Sequence, residues 1–70
     1  MPVIFNIDIE REEDGRWIAE IEALPGVMVY GQTLKEARSK VQALALRVLA
    51  ERIENGENQP ELVSVAFSAA

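Results

Sequence analysis

Asp14-Gly15-Arg16-Trp17-Ile18-Ala19-Glu20-Ile21, then Leu24-Pro25-Gly26, then Gly31 and Thr33-Leu34-Lys35-Glu36-Ala37, decide the fold of this chain. In that order they read as a hairpin turn, a strand, a second turn, another strand and the start of a capped helix. Glu12-Glu13-Asp14-Gly15 supplies turn chemistry, with Gly15 free to take positive φ. Trp17, Ala19 and Ile21 alternate with Ile18, Glu20 and Glu22, the period-two pattern of a half-buried strand. Upstream, Val3, Phe5, Ile7 and Ile9 alternate in the same way with Ile4, Asn6, Asp8 and Glu10, giving an antiparallel first strand. In Leu24-Pro25-Gly26, Pro25 presets φ and Gly26 takes the left-handed position of a type II turn, which reverses the chain into a third strand at Val27–Tyr30.

The helix follows from its two ends. Thr33 and Glu36 form a T-x-x-E capping box, and Asn55-Gly56 closes the other terminus with Gly56 just beyond the cap. Leu34, Ala37, Val41, Leu44, Ala45, Val48 and Leu49 make the core-facing stripe. After a polar loop, Leu62–Phe67 alternates as a fourth strand, with Val63, Val65 and Phe67 on one face. The reading is a single α+β domain over residues 1–70, ordered β-β-β-α-β. A three-stranded antiparallel meander carries one long helix on one face. The helix returns the chain so that the fourth strand lies parallel to the first, on its free edge, in the order 3-2-1-4.

The composition excludes most chemistry. Seventy residues carry a net charge of −5, with no Cys and no His. Disulfides, thiolate metal sites, the commonest general base and the commonest metal ligand are therefore all missing. The charge has the wrong sign for gripping phosphate backbones unaided, so no direct binding of nucleic acid is expected, and an acidic surface suits a basic protein partner. The apolar runs are far shorter than the roughly 20 residues a bilayer core needs, and Asp8 interrupts any signal-peptide core. A soluble cytoplasmic protein is the expectation.

Asp8 and Glu10 share one face of the first strand, and Glu20 and Glu22 share the corresponding face of the second. Two-metal phosphoryl chemistry needs several converging carboxylates, and the fourth strand offers only Ser64 and Ser68 as polar positions. Ser39, Ser64 and Ser68 lack an activating base other than Lys35 or Lys40, and Ser39 and Lys40 diverge on a helix. The four glycines read as isolated turn residues, not a phosphate cradle. The expectation is no catalytic set, no metal and no cofactor.

Surplus apolar surface is the remaining signal. From Leu34 to Asn55 the helix would measure about 33 Å against at most roughly 23 Å for the second and third strands, so it is expected to outrun its own sheet by about two turns. Leu44, Val48, Ala45, Leu49, Ile53 and Leu46 cover roughly 200° of its second half, where one-sided packing needs little more than 100°. Either the fourth strand and its loop cover Leu46 and Ile53, or this half of the helix is an interface. Tyr30, Leu46, Ala50 and Ile53 are the candidate residues for a partner or self-association surface. Trp17 shares a face with Ala19 and Ile21 and is expected in the core, with a binding anchor as the alternative, while Arg38 and Arg52 read as stems lying along the core margin, with an interface salt bridge to an acidic neighbour as the alternative.

Asp14-Gly15, Trp17, Ala19, Leu24-Pro25-Gly26, Gly31, Thr33 and Glu36-Ala37 together resemble the HicB-like antitoxin pattern, D-G-x-W-x-A, L-P-G, then G-x-T-x-x-E-A. The resemblance runs from about Ile4 to Gly56, and several members are similar through Ala43–Ala50. Glu22-Ala23 departs from the Pro-Glu often found before the Leu-Pro-Gly turn. Many members also carry a C-terminal DNA-binding module; 14 residues follow Gly56 here and most of them read as the fourth strand, so autonomous operator binding is not expected. The resemblance implies a partially ribonuclease-H-like fold without nuclease activity. It implies an antitoxin that occludes a small, basic, messenger-RNA-cleaving HicA-type toxin and self-associates as a dimer or tetramer. The alternative is an orphan homo-oligomeric interaction domain without enzymatic activity.

Overall fold

The computed structural model describes residues 2–56 and 64–69. Its elements are β1 (Pro2–Arg11), β2 (Trp17–Glu20), β3 (Met28–Gly31), α1 (Leu34–Glu54) and β4 (Ser64–Ala69). They form one mixed sheet in the order β3-β2-β1-β4, with β1 antiparallel to β2, β2 antiparallel to β3, and β1 parallel to β4. This is the α+β arrangement read from the sequence.

Local chemistry explains each corner. Gly15 takes φ +94°, and its N–H donates to the Glu12 carbonyl at 3.0 Å. Asp14 accepts from the Arg16 backbone N–H at 3.0 Å and from Arg16 Nε at 2.7 Å, which pins the hairpin tip. Gly26 takes φ +84°, and the Val27 N–H donates to the Leu24 carbonyl, closing the expected turn. At the start of α1, Thr33 Oγ1 accepts from the Glu36 N–H at 3.0 Å. The Glu36 carboxylate reaches back to the Gln32 N–H at 3.1 Å, one residue earlier than a standard capping box. Gly56 sits at φ +65° just past the Asn55 cap.

The core lies between α1 and one face of the sheet. Ala37, Val41, Ala45 and Leu49 of the helix are buried against Phe5, Ile7, Ala19, Ile21, Leu24 and Val27. Leu44, Val48, Val3, Ile9, Trp17, Val29, Val65 and Phe67 pack at its margin. Trp17 is therefore half-buried at the core's rim, with the Arg11 guanidinium 5.7 Å from its ring centroid. Arg38 and Arg52 are half-buried, as expected of stems along the margin, and Arg38 Nε is sealed from solvent without a hydrogen-bond partner among the described residues.

Three expectations are corrected. The helix outruns β2 and β3 but not the sheet: β1 has ten residues, about 33 Å at 3.3 Å per residue, against about 31 Å for the 21-residue helix. β1 is long because it serves two partners in succession, pairing with β4 through Pro2–Ile7 and with β2 through Asp8–Arg11. The fourth strand continues to Ala69, past Phe67; Leu62 and Val63 lie outside the described residues. Gly31 is not a turn residue but the last residue of β3, buried under the helix. A Cβ there would stand 2.5 Å from the Ala37 backbone nitrogen.

Candidate functional site: the open face of the sheet

The helix covers one side of the sheet, so every second strand residue points to the other. On β1 these are Ile4, Asn6, Asp8 and Glu10; on β2, Ile18 and Glu20; on β3, Met28 and Tyr30. The register brings the acids together. Asp8 stands directly opposite Glu20, Glu10 opposite Ile18, and Ile18 in turn opposite Tyr30. Glu22 follows where the chain leaves the β2 ladder. A shallow hollow of about 570 Å³ is lined by Asp8, Glu10, Ile18, Glu20 and Glu22. A second, of about 320 Å³, continues past Ile4 and Asn6 and shares Asp8 and Glu22 with the first. The two form one acidic trough along β1.

Its flanks are apolar. Ile4 is 64% exposed, Met28 46% and Tyr30 41%, three of the five large hydrophobic side chains left open among the described residues. The Arg16 guanidinium lies 4.5 Å from the Tyr30 ring centroid, while its Nε pairs with Asp14 at 2.7 Å. The other ion pair among the described residues joins Glu36 and Lys40 at 3.1 Å. Neither pair includes an acid of the trough, so four carboxylates face solvent without a fixed counter-charge. Asp14 and Glu36 are the acids of those two pairs. The Arg16 backbone N–H holds the Asp14 carboxyl below its ordinary value, with the Arg16 side chain adding to the effect. The Gln32 backbone N–H, followed by the Lys40 side chain, does the same for Glu36.

Among the described residues no group of three or more carboxylates converges closely enough to hold a metal ion. The strands splay the four acids along the trough and do not focus them on a point. Such a row offers a long, soft electrostatic surface with greasy edges, suited to a basic protein segment.

The structure divides the residues singled out from sequence. Leu46, Ala50 and Ile53 are exposed on α1, with Leu46 51% and Ile53 56% accessible. Tyr30 projects from the opposite side of the sheet, because its neighbour Val29 packs into the core. They do not form one patch. Sequence reasoning placed the acids on one face but missed Ile4 and Met28 as their apolar flanks; the signal was the same strand alternation, read across three strands together.

No family model, curated protein or solved structure matches this chain. Among the described residues no helix is long and apolar enough to cross a membrane.

Proposed function

We propose that this chain is a non-catalytic antitoxin of the HicB-like kind, which neutralises a small basic HicA-type toxin by covering its catalytic and RNA-binding surface. The observation that carries the reading is the trough: Asp8, Glu10, Glu20 and Glu22 on one open face, edged by Ile4, Ile18, Met28 and Tyr30. The acids steer a basic partner into encounter, and the apolar edges slow its release. The resemblance of the turn and cap motifs to the HicB-like pattern supplies the partner class.

The test is co-expression with the neighbouring gene, if that gene encodes a short basic protein, followed by mass measurement of the purified complex. Reversing Asp8 and Glu20 to Lys is expected to lower the association rate by about tenfold or more at low salt, and the deficit should shrink as salt rises. Reversing Glu51, on the solvent side of α1, serves as the control. A toxin that binds the reversed protein as fast as the parent sinks the reading.

A second reading, an orphan homo-oligomeric interaction domain, is favoured by the exposed Leu46 and Ile53. It predicts a stable oligomer and no basic neighbour that co-purifies.

A further inference from the structure

Four strands about 4.8 Å apart span more width than a helix about 10 Å across can cover. Here α1 lies over β3, β2 and β1 and scarcely touches β4. The consequence shows in burial: Val65 and Phe67 of β4, and Val3 beside them, are only half-buried although they face the core side. β4 is also an edge strand, and among the described residues nothing pairs with its outer side. Proteins normally blunt such edges with charge, proline or a covering element. Ser64-Val65-Ala66-Phe67-Ser68-Ala69 has no charge and no proline. The other edge strand, β3, has only four residues, and the first turns of α1 sit close against it, with Ala37 packed onto Gly31.

The sequence of β4 is close to a palindrome about Ala66. In an antiparallel pair of two copies centred there, Val65 of each faces Phe67 of the other on the core side, and Ser64 of each faces Ser68 of the other on the open side. Aromatic against β-branched and hydroxyl against hydroxyl are both favourable cross-strand pairs. We propose that β4 is a self-association edge: two copies pair antiparallel through Ser64–Ser68 about a twofold axis at Ala66, joining two four-stranded sheets into one of eight strands. The occupant follows from charge. Two chains of −5 each repel wherever their acids meet, and β4 offers a seam with no ionisable side chain. A basic partner, by contrast, is drawn to the acidic trough. The pairing thus stands independently of the toxin reading.

Sedimentation of the full chain tests it, with an expected mass of twice 7.8 kDa. Raising salt should tighten the dimer, because screening removes repulsion, whereas it should weaken a trough-bound basic partner. S64K/S68K places two lysine pairs face to face across the seam and should weaken the dimer by about tenfold or more, with Trp17 fluorescence confirming that each chain still folds. Since the parent has no Cys, Ala66→Cys should oxidise to a covalent dimer under conditions where Leu46→Cys does not. A monomer at hundreds of micromolar, a dimer indifferent to S64K/S68K, or preferential cross-linking through Leu46→Cys each overturns the proposal, the last by assigning the interface to α1.

Discussion

Replacing Gly31 with alanine tests the packing that holds the helix on the sheet. An ideal Cβ at this position stands 2.5 Å from the Ala37 nitrogen, 2.8 Å from its Cα and 3.0 Å from its Cβ. Ordinary contact begins near 3.4 Å, so the methyl group arrives about 0.9 Å too close to backbone, which cannot rotate away. Overpacking of this kind costs about 1–3 kcal/mol, and the backbone obstacle places Gly31→Ala near the upper end. Loss of glycine's freedom in the unfolded chain returns only about 0.4–1 kcal/mol. The net expectation is a loss of about 2 kcal/mol, or about 8–16 °C in Tm for a domain of this size. Urea unfolding followed by Trp17 emission is the natural assay, because Trp17 is the cross-strand partner of Gly31. It should show a lower midpoint with an unchanged slope at fixed protein concentration. Gly26 gives the contrast: a Cβ there meets nothing within 4 Å, but φ is +84°. Gly26→Asn should therefore recover most of what Gly26→Ala loses, since asparagine tolerates the left-handed region, while Gly31→Asn should recover nothing. A Gly31→Ala protein as stable as the parent would refute the close approach of β3 and α1.

Three further outcomes follow from the same geometry. Arg38 Nε is sealed without a partner among the described residues, so Arg38→Met should keep the packing of the stem and raise stability by about 1 kcal/mol; destabilisation in chemical denaturation would mean that the guanidinium is satisfied. The Glu36 carboxyl is held below its ordinary value of 4.5, so its contribution to stability is complete above that pH and is lost as pH falls through the lower, folded value; Glu36→Gln should flatten the acid limb of a Tm-against-pH curve below about pH 4.5, and an unchanged limb would count against the cap. Glu20 faces Asp8 across the β1–β2 ladder, and like charges directly opposed are destabilising, so Glu20→Gln should gain about 0.2–1 kcal/mol in urea unfolding.

The order of strands and the ends of the helix were legible in the sequence because each is a local matter. Gly15, Gly26 and Gly56 stand where the backbone needs positive φ, and Thr33 and Glu36 terminate a helix wherever it packs. What was not legible depends on pairing across the sheet. The length of β1 is set by two partners that meet it at different points, and the alternation of Val3–Glu10 cannot reveal that. Gly31 resembles the other glycines in sequence, yet its role comes from a helix residue six positions on. Tyr30 was named beside Leu46, Ala50 and Ile53 as a candidate interface residue because its short strand is apolar on both sides, although strand parity sends it to the other side of the sheet. The acids of the trough were visible residue by residue, but their flanks needed the register.

Glu20→Gln then bears on function as well as stability. Burying the core asks nothing of Asp8, Glu10, Glu20 or Glu22: all four are exposed, and none belongs to an ion pair among the described residues. Setting Asp8 against Glu20 costs the fold a little, and threonine or lysine would suit those open strand positions better. A side chain that weakens its own protein is expected where another molecule supplies what is missing. If the trough takes a basic surface, Glu20→Gln should make the free protein more stable and its complex with a basic toxin weaker and less salt-dependent. If the acids serve solubility alone, the first effect should appear without the second. The same variant, measured by denaturation and by binding, therefore separates a surface kept for a partner from one kept for water.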